Sequence, residues 1–322
     1  MAPVLVAPDK FKGTLSAAEV ASAVAAGLRD GGREAVELPV ADGGDGTAEA
    51  LVAALGGEFR GARVPGPLGE EVEARFALLG DGRAVVEAAA ASGLALVAEP
   101  SPRTAWAATT RGTGELIVAA CEAGVAEVVV ACGGTASTDG GAGALEALAE
   151  AGLRPKLTLA CDVRTPWERA AAVFGPQKGA DRRVLGRLEK RLAALAAQVP
   201  RNPRGQPLTG CGGGLSGGLW AHLGATLVPG AALVLDAIGF DGAMRAARFV
   251  VTGEGRIDPQ TLEGKAVGEV ATRCRQAGVG CHAVAGQNAL DSFGARVLDL
   301  QTITEAGTKR RLRAAGRRLA GL

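Results

Sequence analysis

Nearly every short apolar run in this chain ends in Asp or Gly. The runs are Val4-Leu5-Val6-Ala7-Pro8-Asp9, Leu38-Pro39-Val40-Ala41-Asp42-Gly43-Gly44, Val128-Val129-Val130-Ala131-Cys132-Gly133-Gly134, Leu159-Ala160-Cys161-Asp162, Phe249-Val250-Val251-Thr252-Gly253-Glu254-Gly255 and Ala283-Val284-Ala285-Gly286. Apolar runs of this length, bounded by turn residues, predict strands buried on both faces, as in parallel sheets. Open parallel sheets bind ligands beyond the carboxyl ends of their strands. Carboxylates and glycines gather at those ends here. The pattern predicts an α/β enzyme that holds a charged, phosphate-like ligand.

The totals remove several classes. At 322 residues the chain is long enough for two domains. With 35 basic and 34 acidic residues its net charge is +1, which gives neither a nucleic-acid field nor a polybasic membrane patch. Aromatics are 3% and Tyr is absent, so base-stacking platforms are not expected. The start MAPVLVAPDKFKG lacks a leader pattern, and no apolar run is long enough to span a bilayer. A soluble, cytoplasmic chain is the expectation. The six Cys form no C-x-x-C pair and are expected as reduced, mostly buried thiols. His222 and His282 are the only histidines, which excludes a His-rich zinc site and disfavours a Ser-His-Asp triad. A general base is then a carboxylate, and a metal is a hard ion with oxygen ligands such as Mg²⁺.

The element order supports a parallel sheet. Strand 4–9, helix 17–29 behind a Ser16–Glu19 capping box, strand 35–41 and helix 47–55 make a βαβα start. Residues 72–87 alternate around Gly80-Asp81-Gly82 and predict a β-hairpin, which hints at a second domain inserted into the first. Helices follow at 113–123, 141–151, 183–198 and 215–223, with strands at 127–132, 157–161 and 231–236. The rhythm resumes with strand 248–252, helix 265–277, strands 279–285 and 298–303, and a basic helix 305–320. This places residues 1–60 plus 237–322 in one discontinuous domain and 61–236 in the inserted one.

Four motifs carry chemistry. No G-x-x-x-x-G-K-[ST] run exists, and Gly212-x-Gly214-x-x-Gly217 follows a Pro-rich loop where a dinucleotide fingerprint needs a strand. The stretch Gly133-Gly134-Thr135-Ala136-Ser137-Thr138-Asp139-Gly140-Gly141 lies between a strand and a helix. Its glycines let amides approach an oxyanion, its hydroxyls can donate to phosphate oxygens, and Asp139 can hold Mg²⁺ or accept a proton. Asp42-Gly43-Gly44-Asp45-Gly46-Thr47 puts two carboxylates in a strand-end loop, with Thr47 able to cap the next helix. Glu254, Arg256 and Asp258, followed by Lys265, suit a clamp on a phosphate with a metal. Asp9-Lys10-Phe11-Lys12-Gly13 offers two lysines to a carboxylate or phosphate.

Read together, APDKFKGTLSA, PVADGGDGT, RGTGELI, GGTASTDGGAGAL, ACDV, VFGPQKGA and VVTGEGRIDPQTLEGKA resemble the two-domain bacterial glycerate kinases, the family that includes the tartronate- and galactarate-pathway enzymes. The chain departs from the usual family pattern at Thr138, Thr165 and Val267. The resemblance implies an α/β fold in which a Rossmann-like parallel-sheet domain carries a second α/β domain, with the active site in the cleft between them. It implies Mg²⁺-dependent transfer of a phosphoryl group from ATP to D-glycerate, chiefly at the 2-hydroxyl, giving 2-phosphoglycerate. On that reading Gly133, Gly134, Thr135, Ser137, Gly140 and Gly141 hold the ATP phosphates. Asp42, Asp45 and Asp139 supply Mg²⁺ ligands or the base. Lys12 and Arg256 bind the glycerate carboxylate or the transferring group, with Lys10, Glu254 and Asp258 beside them. D-Glycerate is the expected partner, and neither nucleic acid nor membrane is. The oligomeric state stays open, a homodimer included. Alternatives are a 3-phosphoglycerate-forming kinase, a non-catalytic sensor of sugar acids or nucleotides, and a dinucleotide-dependent dehydrogenase. Carboxylate-rich loops count against an anion sensor, and the failed Gly pattern against the dehydrogenase.

Overall fold

The alternation of short apolar strands with helices builds two separate sheets. The computed structural model of the protein describes residues 2–322, apart from the side chains of Gln260 and Glu263. Among these residues the strands are β1 (Val4–Pro8), β2 (Ala35–Glu37), β3 (Gly57–Pro65), β4 (Glu71–Leu79), β5 (Arg83–Glu87), β6 (Glu127–Ala131), β7 (Leu157–Cys161), β8 (Thr226–Pro229), β9 (Val250–Ile257), β10 (Cys281–Asn288) and β11 (Leu300–Glu305). One unit takes the chain up to Asp42 together with Ala231–Leu322, and the other takes Gly43–Gly230. The sequence reading put these joins at 60/61 and 236/237. Helix Thr47–Leu55 packs on β4 and β5, so it belongs with the second unit.

The first unit holds a parallel sheet in the order β11-β10-β9-β1-β2. From β1 the chain winds outward to β2, and from β9 it winds the other way to β10 and β11. The order therefore reverses between β1 and β9, the place where doubly wound sheets bind ligands. Both faces are covered. Val20, Val24, Leu28, Leu312 and Leu319, from helices Ala17–Asp30 and Lys309–Leu319, pack on Val4, Val6, Val251 and Val284. On the other face Leu235, Phe240, Met244, Val270 and Cys274 pack on Leu5, Ala7 and Val250. The Ser16–Glu19 capping box starts the first helix as its sequence predicts.

Helices Ala17–Asp30 and Lys309–Leu319 touch backbone to backbone. A Cβ on Gly316 would stand 2.2 Å from the Val24 carbonyl oxygen, and one on Gly27 would stand 2.0 Å from that of Arg313. Asp30 caps the contact from outside by pairing with Arg313 at 2.6 Å and Arg317 at 2.8 Å.

The second unit holds a mixed sheet in the order β3-β4-β5-β6-β7-β8. The β3, β4 and β5 pairings are antiparallel, and those from β5 to β8 are parallel. The predicted hairpin is β4–β5. The main core gathers Val86, Leu116, Ile117, Val128, Val130, Leu148, Leu159, Leu215 and Leu219. A smaller cluster forms under the amphipathic helix Arg182–Ala196, where Trp167 packs with Leu188 and Leu192 and donates its indole N–H to the Leu192 carbonyl at 2.9 Å.

The elements differ from the sequence reading in several places. Residues 231–236 are helical, within Gly230–Ala237, because Ala231, Val234 and Leu235 are the buried positions and that spacing is a helix period. Edge strands β3 and β8 are additional; of β3 only Val64 is buried, so it shows no apolar run. Strand β2 is shorter than 35–41, but Leu38 and Val40 still donate to Val6 and Pro8 of β1 at 2.9 and 3.0 Å, on either side of Pro39, which has no N–H. All six cysteines are free thiols, five of them buried. Among the described residues no helix is long and apolar enough to cross a membrane.

Candidate active site at two sets of strand ends

In the first unit the carboxyl ends of β1 and β9 bring Asp9 and Glu254 into one electrostatic group with Asp42. Asp9 donates its backbone N–H to the Gly253 carbonyl at 2.7 Å, which ties the end of β1 to β9. The Gly-x-Gly frame around Glu254 has a steric cause. A Cβ on Gly253 would lie 2.4 Å from the Val284 carbonyl oxygen of β10, and one on Gly255 would crowd the Phe11–Lys12 backbone at 3.1–3.2 Å. Burial pushes the Asp9 carboxyl up to about 8, Asp42 pushes it further the same way, and Lys10 opposes them from 4.0 Å. Glu254 is also raised, chiefly by burial, while Lys265 and Thr261 pull it down. Its two oxygens accept from Thr261 Oγ1 at 2.6 Å and Lys265 Nζ at 3.5 Å. Lys265 also reaches Asp258 at 3.8 Å, and Asp258 holds Arg256 at 3.5 Å. Arg256 and Lys12 are exposed. Asp42, Lys10, Glu254, Arg256, Asp258 and Lys12 thus lie in this unit. Asp9 was a flanking residue in the sequence reading, and the structure makes it the most perturbed carboxylate of the group.

In the second unit the loop Gly133–Gly141 leaves β6 and enters helix Ala142–Glu150. Gly134, Gly140 and Gly141 have φ of 75°, 67° and 78°, a left-handed backbone that a side chain would strain. The helix start has no side-chain cap. Two carboxylates flank the loop's first turn: a Cβ on Gly134 would lie 3.2 Å from Asp45 Oδ1, and one on Gly133 would lie 2.7 Å from Asp162 Oδ2. Asp162 also accepts the Cys211 thiol at 2.9 Å. Thr47 does not cap the following helix as expected: the helix begins at Thr47 behind Gly46, the Thr47 hydroxyl donates to the Gly44 carbonyl at 2.7 Å, and Glu87 accepts from the Ala48 N–H at 2.9 Å.

Asp139, which the sequence reading offers to Mg²⁺ or to the base, lies among hydrogen-bond donors of its own loop and of Thr110. Its Oδ2 accepts the Thr110 N–H and hydroxyl, both at 2.8 Å, and the Gly143 N–H at 3.3 Å, while Oδ1 accepts the Gly141 N–H at 3.1 Å. Both oxygens are committed to closing the loop onto the start of helix Arg111–Glu122. Among the described residues no group of three or more His, Cys, Asp and Glu is arranged to hold a metal ion. Asp45 and Asp162 border a cradle that only glycine leaves open.

The hydroxyls behave in two ways. Thr135 Oγ1 accepts from Lys178 Nζ at 3.4 Å. Ser137 Oγ and Thr138 Oγ1 are fully buried with no hydrogen-bond partner. Buried hydroxyls of this kind cost free energy unless something satisfies them. Lys178 escaped the sequence reading, although Gly175-Pro176-Gln177-Lys178-Gly179 frames it with turn residues. It is buried at 4% exposure and donates to the Ser137 carbonyl. Burial lowers its pKa to about 8 against the opposing pull of Asp139, Cys211 and Asp162.

A doubly wound parallel sheet with carboxylates at its switch point, and a second sheet carrying a glycine-and-hydroxyl loop, define an α/β enzyme built for small anionic substrates. The sequence profile of the glycerate kinase family matches residues 4–155 and 149–309. The glycerate kinase of Bacillus subtilis (strain 168) is 40% identical, covering 90% of this chain and 86% of that one. The glycerate 2-kinase of Escherichia coli (strain K12) is 39% identical over 81% of this chain and 79% of its own. A crystal structure of a candidate glycerate kinase 2 from Salmonella typhimurium LT2 superposes with a TM-score of 0.78 at 33% identity, covering 99% of this chain and 97% of the other. The chain belongs to the glycerate kinase family.

Proposed function

We propose that the protein is a D-glycerate 2-kinase that transfers a phosphoryl group from ATP to the 2-hydroxyl and releases 2-phosphoglycerate, with Mg²⁺. The observation that carries the reading is the pair of buried, unpartnered hydroxyls, Ser137 and Thr138, in a left-handed glycine loop at a helix start. Two free hydroxyl donors suit the oxygens of a nucleotide's phosphates. The E. coli relative named a glycerate 2-kinase supports the 2-hydroxyl as the acceptor.

Phosphoryl transfer needs positioning, charge neutralisation and a proton acceptor. Gly134, Thr135 and Ser137 take the phosphate oxygens, while Gly133, Gly140 and Gly141, whose amides go to the Gly43 carbonyl, the Gly213 carbonyl and Asp139, shape the loop around them. Asp45 and Asp162 would hold Mg²⁺ together with those oxygens, and the ion would neutralise charge on the transferring group. Asp139 acts as a positioning residue that keeps the loop in shape. Lys12, Lys10 and Arg256 bind the glycerate carboxylate, with Glu254 and Asp258 orienting the cations. Asp42 takes the hydroxyl proton, and Asp9 beside it holds a proton near neutral pH. A coupled assay of ADP release tests the reading. Turnover must require both D-glycerate and Mg²⁺-ATP, and ADP release that ignores glycerate would remove it.

A further inference from the structure

We infer that the Lys178 ammonium binds the oligophosphate chain of the nucleotide from beneath the loop Gly133–Gly141, an inference that rests on the kinase reading above. The geometry is that of an incomplete coordination shell. Lys178 is buried, and its partners are the Ser137 carbonyl and the Thr135 hydroxyl, the latter at 3.4 Å. An ammonium has three N–H donors, so at least one is unspent. Among the described residues Lys178 forms no ion pair with a carboxylate. Its two hydrogen-bond partners are neutral, and the pull of Asp139 and Asp162 from further off is outweighed by the desolvation of the buried cation.

What surrounds it is also short of acceptors. Ser137 Oγ and Thr138 Oγ1 lack partners. Two unpartnered hydroxyls of the loop, and a buried cation that donates to the same loop, call for a group that is all acceptor and negatively charged. On the kinase reading the anion brought to this loop is the phosphate chain of the nucleotide, which carries more charge and more acceptor oxygens than a single carboxylate. The lowered pKa of Lys178 agrees with an ammonium that awaits its counter-charge.

The structure around Lys178 explains why it can wait there. Gly179 has φ of 91°, and a Cβ on it would stand 2.3 Å from the Ser101 amide nitrogen, so the turn that delivers Lys178 is fixed by close packing.

Calorimetric titration of the wild type, Lys178→Gln and Lys178→Arg with sodium tripolyphosphate, inorganic phosphate and D-glycerate tests the inference, with circular dichroism to confirm folding. Tripolyphosphate is expected to lose about 30-fold in affinity in folded Lys178→Gln, the scale of one charged hydrogen bond, and much less in Lys178→Arg. D-Glycerate affinity is expected to stay unchanged in both. Equal tripolyphosphate affinity in wild type and folded Lys178→Gln overturns the role of Lys178 and leaves the kinase reading standing. A wild type that binds neither tripolyphosphate nor ADP overturns both. If Lys178→Gln does not fold, a crystal structure of the wild type with tripolyphosphate decides. A phosphate oxygen within about 3.2 Å of Nζ supports the inference, and phosphate bound elsewhere overturns it.

Discussion

The Gly140 amide donates to the Gly213 carbonyl at 3.1 Å. Through that bond the glycine pattern that fails as a dinucleotide fingerprint becomes the floor of the loop that precedes helix Ala142–Glu150. Gly213 has φ of 67°, and a Cβ on it would stand 2.0 Å from the Ser137 carbonyl oxygen, the group that also accepts from Lys178. Gly213→Ala is therefore expected to cost about 2–5 kcal/mol, combining backbone strain with overpacking. Nucleotide affinity is expected to fall with it. Chemical denaturation and ADP titration check this, and an unshifted midpoint would show that the loop does not rest on residue 213.

Asp9 gives the stability a defined pH dependence. Its carboxyl is raised by burial, and then by Asp42, from an ordinary 3.8 to about 8. Between those values the folded protein keeps a proton that the unfolded chain has released. Stability from this group is thus full below 3.8 and declines as pH rises toward 8, by at most about 1.4 kcal/mol per pH unit. Glu254, raised chiefly by burial, adds a slope of the same sign. Asp9→Asn is expected to flatten the decline and to be the more stable form at pH 8. Urea melts at several pH values measure both slopes, and identical slopes would refute the assignment.

Asp42 and Asp139 are expected to fail differently when neutralised. Asp42→Asn should lower kcat by about 100-fold or more, the usual cost of losing a general base, with little change in melting temperature. Asp139→Asn should first lower stability, by about 1–3 kcal/mol, because an amide cannot accept from Thr110, Gly141 and Gly143 together. Its kcat loss should shrink at low temperature, where the fold holds. Parallel kinetics and melting curves separate the two. A stable, inactive Asp139→Asn would return that residue to the chemistry.

Gly316→Ala inserts a methyl where helix Lys309–Leu319 meets helix Ala17–Asp30, 2.2 Å from the Val24 carbonyl oxygen. The helices must separate, at a cost of about 1–3 kcal/mol. Activity at low temperature should persist, since the change sits on a face of the sheet away from the carboxyl ends of its strands. A melting temperature within a degree of the wild type would show that the contact is soft.

The sequence carries the fold wherever burial is two-sided. Residues 157–161 and 215–223 are a strand and a helix with the expected limits because apolar runs and glycine stops leave no other choice. β3 is invisible in the sequence because an exposed edge strand needs no apolar run, as Phe59 and Arg63 pairing with Ala77 and Glu73 illustrate. Residues 231–236 mislead because Ala231-Ala232-Leu233-Val234-Leu235 is apolar on every face, and only packing chooses the helix. For the site, glycines and hydroxyls at strand ends are legible as chemistry, since little else explains them there. Which carboxylate is spent on structure is not legible: Asp139 and Asp45 look alike in sequence, and only the amides of Thr110 and Gly141 tell them apart. Lys178 hides for a related reason, because an isolated lysine reads as solvated until its burial is seen.

The most direct measurement is the product itself. Incubation with D-glycerate and Mg²⁺-ATP, followed by proton-coupled ³¹P NMR, is predicted to give a phosphate ester coupled to one C2 proton, formed only when both substrates are present. Coupling to the two C3 protons would contradict the assignment to the 2-hydroxyl, and the absence of any glycerate ester would contradict the kinase account as a whole.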